Sequence, residues 1–67
     1  MEQNFASRLK ELRLKNGLTE NQLARKLDLK KESILNYENG KQIPRLKIFL
    51  KFCDFFEVSA DYLAGLE

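Results

Sequence analysis

The residues of this chain that could do chemistry are its lysines and arginines, and they are unevenly distributed. All twelve lie in residues 1–51, where only six acids accompany them, and residues 52–67 contain four acids and no basic residue. This division predicts a basic face for an anionic partner and a separate acidic end. An ordinary solvated surface would explain the charges equally well, so a structural pattern must decide between the two.

Side chains suited to catalysis or metal binding are scarce. The chain contains no histidine, so the commonest general base and the commonest metal ligand are both missing. Its one cysteine, Cys53, cannot form a disulfide within the chain or a metal cluster, and no Gly-rich phosphate loop is present. We therefore predict no catalytic residue, metal, cofactor or small-molecule ligand, and we place Cys53 in the core of a reduced, cytoplasmic protein. No apolar run approaches the ~20 residues that cross a membrane, so no membrane partner is predicted.

The apolar periodicity predicts a single all-α domain over residues 1–67 with five helices. These helices are predicted at about residues 5–16, 20–28, 31–39, 44–56 and 60–64. Asn4, Thr19 and Ser59 are the predicted N-caps, and Pro44 is the predicted first residue of the fourth helix.

The fourth predicted helix is the most apolar of the five. Three- and four-residue spacing predicts that one stripe of it faces the core, made of Leu46, Phe49, Leu50, Cys53 and Phe56. Ile48, Phe52 and Phe55 add apolar surface beyond what a single core-facing stripe requires. Leu63 and Leu66, near the end of the chain, are expected to complete the core.

A capped short helix, a tight connection and a second short helix with a polar outer face follow one another in residues 18–40, LTENQLARKLDLKKESILNYENG. This pattern is typical of a helix-turn-helix, in which one helix enters the DNA major groove and the other braces it. The chain resembles the phage repressor/Cro family, also called the xenobiotic-response-element type. The resemblance rests on RLKELR, LTENQLA, SILNYENGK and VSADYLAG, in the family's order and spacing over residues 5–66. It implies a five-helix, lambda-repressor-like DNA-binding domain.

The resemblance implies that the first turns of the third helix face base edges. The implied base-contacting residues are Lys31, Glu32, Ser33, Leu35 and Asn36. Their chemistry agrees, since lysine can donate to guanine, asparagine can pair with adenine, glutamate can accept from cytosine and leucine can touch a thymine methyl. The alternative is that these residues form only the solvated face of a helix.

The resemblance also implies phosphate contacts on the flanks of the third helix. The implied residues are Asn21, Lys30, Asn39, Lys41 and Arg45, together with Arg8 of the first helix and Lys47 as a further candidate. Each single cation could equally be a solvated charge. Arg13 and Glu38 fit a further family feature, a salt bridge from the first helix to the end of the third.

Four residues depart from the family's usual pattern. Glu20 stands where a glutamine usually contacts phosphate, so that contact is in doubt. Asp28 and Glu57 replace the usual glycines, and Lys30 replaces a Ser or Thr N-cap at a cost of about 1 kcal/mol. Residues 19–38 carry equal numbers of acids and bases, so modest non-specific affinity for DNA is expected.

Members of this family usually bind DNA as two-fold dimers, so the resemblance implies a homodimer whose recognition helices read half-sites about 34 Å apart. The predicted interface consists of surplus apolar residues of the last third of the chain, Phe52, Phe55, Tyr62 and Leu66. The implied function is a sequence-specific transcription regulator, a repressor, that binds double-stranded DNA with helix 31–39 in the major groove. The alternative is a protein-interaction module of the same fold, an antitoxin or adaptor, which Glu20 and the neutral segment 19–38 favour.

Overall fold

Five short helices account for most of residues 4–67, which are the residues that the computed structural model describes. The helices are α1 (Phe5–Lys15), α2 (Glu20–Lys26), α3 (Lys31–Glu38), α4 (Leu46–Phe56) and α5 (Ala60–Leu63). The predicted all-α fold class is confirmed. None of the helices within residues 4–67 is long and apolar enough to cross a membrane.

Three of the five helices begin with the side-chain caps that the sequence predicts. The Asn4 side chain accepts a hydrogen bond from the Ser7 amide at 3.0 Å, and the Thr19 hydroxyl accepts one from the Gln22 amide at 3.1 Å. In both cases the second side chain also accepts from the backbone amide of the first residue, which completes a capping box. Ser59 caps α5 by accepting from the amide of Tyr62 at 3.0 Å.

The helices end in a common way, in which a residue in the left-handed conformation reverses the chain. After α2, the amide of Leu29 donates to the carbonyl of Ala24 at 2.8 Å and the amide of Asp28 donates to Arg25 at 3.2 Å. This six-to-one and five-to-two pair of hydrogen bonds is a Schellman motif. Asp28 has a φ of 56°, which aspartate tolerates better than most non-glycine residues.

The predictions for α4 were wrong in two respects. Pro44 does not begin the helix but is buried before it, and Arg45 occupies the N-cap position with extended backbone and no side-chain cap. The core-facing stripe is also rotated from the predicted one. Phe52 is fully buried, whereas Leu46 and Leu50 point outward. A helix that is apolar on nearly all sides offers several possible core faces, so periodicity alone could not select the correct one.

All five helices contribute to the core, which is rich in aromatic rings where α1, α3 and α4 meet. The Phe5 ring contacts the rings of Tyr37, Phe49 and Phe52, with centroids 5.7–6.2 Å apart. Tyr37 and Phe52 meet edge to face at 5.9 Å. Such pairs favour one relative placement of the helices, because tilted and edge-to-face geometries are preferred over others.

Only one of the two leucines near the end of the chain that were predicted to complete the core is buried. Leu63 is fully buried, but Leu66 is exposed. Gly65 has a φ of 85°, and the amide of Leu66 donates to the carbonyl of Asp61 at 2.9 Å. The chain therefore turns away from the core immediately after α5, and Leu66 is carried to the surface.

Candidate nucleic-acid interface

The α2–α3 pair forms the scaffold of the candidate site. Leu23 and Ala24 of α2 and Ile34 of α3 are buried on the inner side of the pair. The connection between the helices is only residues 27–30, and the left-handed Asp28 sets its direction. Lys51 of α4 also donates to the carbonyl of Leu27, at 3.3 Å, which ties this turn to the rest of the fold.

The end of α3 is fixed to α1 by the predicted ion pair of Arg13 and Glu38. Arg13 donates through Nε to Glu38 Oε2 at 2.6 Å and through Nη2 to Oε1 at 3.1 Å, and both side chains are buried. Its Nη1 donates to the carbonyl of Leu18 at 2.9 Å. The hydrogen bond to Glu38 raises the pKa of Arg13 above its ordinary value, although burial acts in the opposite direction. The fixed pair holds α3 at a defined angle to α1.

The two sides of α3 are sharply different. Ile34 and Tyr37, three residues apart, are buried against the core. Lys31 and Glu32 are exposed on the outer side, and Ser33, Leu35 and Asn36 are half-buried. Among the described residues, no hydrogen bond engages the side chains of Lys31, Glu32 or Asn36, so their polar groups remain free to bind a ligand. The outer side of α3 therefore presents a donor, an acceptor and an amide together.

The start of α3 is basic and has no side-chain cap. Lys30 occupies the N-cap position, with extended backbone and no hydrogen bond from its side chain to the first turn. Lys30 and Lys31 are both exposed. A basic pair beside uncapped backbone N–H groups suits an anionic partner, because both the side chains and the helix dipole attract negative charge.

The segment after α3 is held in place by main-chain hydrogen bonds. The amides of Lys41 and Gln42 both donate to the carbonyl of Asn36, at 2.9 and 3.3 Å. Asn39, Lys41 and Arg45 are exposed around this segment. They add exposed polar and basic side chains after the end of α3.

Arg8 does not belong to this surface, contrary to the prediction. It is buried, and it donates to the main-chain oxygens of Tyr62, at 2.6 Å, and of Glu67. Its guanidinium also lies over the Tyr62 ring, 4.3 Å from the centroid. These contacts use the side chain to fix the end of the chain to α1, so Arg8 is structural rather than a phosphate ligand.

Comparison with known proteins agrees with this arrangement. A family model described as Helix-turn-helix, of the Cro/C1 type, matches residues 9–63. The chain belongs to this family. Relatives that share this domain carry the name HTH-type transcriptional regulator.

Two curated helix-turn-helix relatives illustrate the extent of the match. The HTH-type transcriptional regulator ImmR of Bacillus subtilis is 37% identical over 62 residues, which are 92% of this chain and 49% of ImmR. An HTH-type transcriptional regulator of Methanocaldococcus jannaschii is 36% identical over 55 residues, which are 82% of this chain and 83% of the relative. The chain thus spans about half of ImmR and most of the archaeal protein.

Two solved helix-turn-helix structures share the fold. A transcriptional regulator from Listeria innocua superposes with a TM-score of 0.87 at 26% identity, over 97% of this chain and 61% of that one. The restriction-modification controller protein C.AhdI from Aeromonas hydrophila superposes with a TM-score of 0.79 at 29% identity, over 88% of this chain and 89% of that one.

The residues predicted for a helix-turn-helix dimer interface are not equally available. Phe52 is 0% exposed at the centre of the core, so it cannot take part, and that prediction was wrong. Phe55 and Tyr62 are half-buried, and Arg8 covers one face of the Tyr62 ring. Leu66 remains, at 77% exposed.

Three apolar residues in and just before α4 are exposed, and the prediction that two of them, Leu46 and Leu50, lie in the core was wrong. Ile43, Leu46 and Leu50 are 88%, 70% and 47% exposed, and they follow one another at three- and four-residue spacing. Lys47 and Lys51 lie in the same part of α4. They indicate that the neighbouring leucines are exposed, because a helix face that mixes lysines with leucines is seldom a core face.

Proposed function

We propose that this protein reads operator DNA by inserting α3 into the major groove. The observation that carries the proposal is the division of α3, which buries Ile34 and Tyr37 and leaves Lys31, Glu32 and Asn36 unengaged on its outer side. These three side chains supply a donor for guanine, an acceptor for cytosine and an amide for adenine. Ser33 and Leu35, half-buried beside them, are proposed to make the shorter contacts with base edges.

The proposed phosphate contacts flank the recognition helix on both sides. Lys30 and Asn21 lie at the starts of α3 and α2, and Asn39, Lys41 and Arg45 follow the end of α3; all five side chains are exposed. Since residues 19–38 are neutral overall, this flanking charge must supply the electrostatic part of the affinity. Glu20 is excluded from the proposed contacts, because its carboxylate repels phosphate.

We further propose that the protein binds as a two-fold homodimer and acts as a repressor. One copy reads only a few base pairs, and two recognition helices must lie about 34 Å apart to enter successive major grooves. The domain measures 28 × 24 × 22 Å, so two adjacent copies on one side of the duplex can meet this spacing. A dimer seated on promoter DNA excludes other proteins from the same base pairs, so repression requires only occupancy.

The experiment that tests the proposal is selection of random duplexes by the purified protein, followed by titration at several salt concentrations. A two-fold symmetric sequence bound at least ~10³-fold more tightly than random duplex is the expected result. Absence of enrichment, with only weak salt-sensitive binding, would contradict sequence-specific readout. In that case the protein-interaction alternative, favoured by the acidic Glu20 and the neutral segment 19–38, gains support.

Single substitutions on α3 then locate the readout. Lys31→Ala and Asn36→Ala should each weaken binding by about 1–3 kcal/mol and relax the preference at different base positions. Lys10→Ala removes an exposed cation of α1 outside the proposed interface and is the matched control. Equal losses for Lys10→Ala and Lys31→Ala would assign Lys31 to general electrostatics instead.

A further inference from the structure

The outward face of α4 is unpartnered and apolar at its centre. Leu46 is 70% and Leu50 is 47% exposed, one helical turn apart, and Ile43, three residues before the helix, is 88% exposed. Isolated exposed leucines are ordinary, but adjacent ones on one helix face mark an interaction surface more often. The question is which molecule covers them.

The charged side chains along this face indicate which molecule would cover the exposed leucines. Lys47 and Lys51 lie in the first half of α4, and Asp54 and Glu57 lie in its last turn and just beyond it; all four are exposed. With 3.6 residues per turn, Lys47, Leu50 and Asp54 share one side of the helix. Along this side a positive charge, the apolar Leu50 and a negative charge therefore follow one another, and the exposed Leu46 precedes them at the start of the helix.

A face with this order of charges is complementary to itself in the antiparallel direction. If a second α4 packs against the first about a two-fold axis near Leu50, Lys47 of each copy faces Asp54 of the other, the two Leu50 side chains meet between them, and Leu46 lies at the edge of the contact. The two helix dipoles also oppose each other favourably. A parallel arrangement would instead place like charges together.

We propose that α4 is the pairing surface of this protein, and that a second copy of the same chain docks on it antiparallel through Leu46 and Leu50. This inference rests on the proposed DNA-binding function and specifies how the two copies meet. The surface adjoins Arg45 and the segment after α3, so contact there brings the two DNA-facing edges together. The C-terminal surface of Phe55, Tyr62 and Leu66 offers less, since two of its three residues are half-buried.

The pairing surface is small, and this determines the experiment. An eleven-residue helix is only about 16 Å long, so the contact falls short of the ~800 Å² per partner of a standard interface. Pairing should therefore be weak in free solution and should appear as cooperativity when two copies bind one duplex. The quantity to measure is the affinity for a full symmetric site relative to that for an isolated half-site.

Leu50→Glu is the deciding variant. It should reduce the full-site cooperativity by about 30-fold or more, because a central interface residue is replaced by a buried charge, and should leave half-site affinity unchanged. Leu14→Glu, at a leucine of α1 that is 58% exposed, is the matched control and should leave the cooperativity intact. Circular dichroism of each variant confirms that the fold is retained.

A charge exchange tests the antiparallel direction. Lys47→Glu and Asp54→Lys should each lower the cooperativity by about tenfold through like-charge contacts, and the double variant should restore it. Lys47 is chosen over Lys51 because Lys51 already donates to the carbonyl of Leu27.

The possible outcomes separate the two proposals. Wild-type protein that binds neither the full site nor the half-site overturns the proposed DNA-binding function. Half-site binding without cooperativity in the wild type, or cooperativity that survives Leu50→Glu, overturns the pairing surface alone. Cooperativity lost in Leu66→Glu but kept in Leu50→Glu would place the contact at the C-terminal end of the fold.

Discussion

The α2–α3 pair and the α4–α5 pair are built on the same plan. In each pair the first helix ends in a Schellman motif around a non-glycine residue in the left-handed conformation, Asp28 at a φ of 56° and Glu57 at 55°. The second helix of each pair begins three residues later. Each second helix is then fixed to α1 by a buried arginine, Arg13 for α3 and Arg8 for α5.

The two anchors differ in what the arginine binds. Arg13 binds the buried carboxylate of Glu38, so each charge of this anchor depends on the other. Arg8 binds main-chain oxygens of Tyr62 and Glu67 and the face of the Tyr62 ring, so none of its partners is a buried side-chain carboxylate. The Arg13 anchor of α3, the helix proposed to read DNA, is thus the more costly of the two to break. The Arg8 anchor of α5 does not depend on a charged side chain as its partner.

The largest expected effect comes from breaking the Arg13 anchor. Arg13→Met should lower the free energy of unfolding by about 3–5 kcal/mol, because it leaves the Glu38 carboxylate buried without a partner. Urea denaturation followed by circular dichroism measures the loss. The double variant Arg13→Met/Glu38→Leu should recover most of it, and a single variant within 1 kcal/mol of the wild type would contradict this account.

Breaking the Arg8 anchor should have a smaller and more local effect. Arg8→Met removes charge-assisted hydrogen bonds without leaving a buried charge, so we expect a loss of about 1.5–3 kcal/mol. Hydrogen exchange should show faster exchange at the amides of Leu63 and Leu66 while those of α3 stay protected. If α3 loses protection equally, the two anchors do not act on separate parts of the fold.

The next largest effect on stability is expected at Asp28 and Glu57, the two non-glycine residues in the left-handed conformation. Glu57→Gly should stabilise the protein by about 1 kcal/mol, because the left-handed conformation is unfavourable for a residue with a Cβ. Asp28→Gly should gain less, since aspartate tolerates this conformation better. Thermal unfolding of both variants measures the difference, and a destabilised Glu57→Gly would show that the Glu57 side chain makes a compensating contact.

The smallest expected effect is a pH dependence of folding stability. It arises in the α4–α5 pair, because that pair contains Cys53. Burial, with a smaller contribution from Asp54, raises the pKa of the Cys53 thiol. The unfolded chain therefore loses the thiol proton first as pH rises, and folding stability should fall as pH rises above the ordinary thiol pKa of about 8.5. Urea midpoints between pH 7 and 10 test this, and the slope attributed to Cys53 should vanish in Cys53→Ala.

Sequence patterns predicted the α2–α3 pair better than the α4–α5 pair, for physical reasons. The cap at Thr19 depends on side-chain types, which the sequence displays directly, and the family resemblance supplied Glu38 as the partner of Arg13. The partners of Arg8 are main-chain oxygens, which every residue has, so nothing in the sequence distinguished this buried arginine from a surface cation.

The orientation of α4 was also beyond prediction from the sequence. Its residues are apolar on most sides, so Phe52 and Leu50 were equally suited to the core. Only the fit of the Phe52 ring against Phe5 and Tyr37 decides between them, and that contact joins three helices distant in sequence. The candidate base-contacting residues were placed by family resemblance, and their contacts with DNA remain predictions.

The hydrogen bonds that the carbonyl of Asn36 accepts from the amides of Lys41 and Gln42 have a thermodynamic consequence. They order the segment after α3 in the free protein, together with the buried Pro44. A segment that is already ordered loses little conformational entropy when a ligand arrives, so association need not be coupled to folding. Calorimetry should accordingly give a heat-capacity change that matches the surface buried on DNA, without the larger value that a folding segment would add.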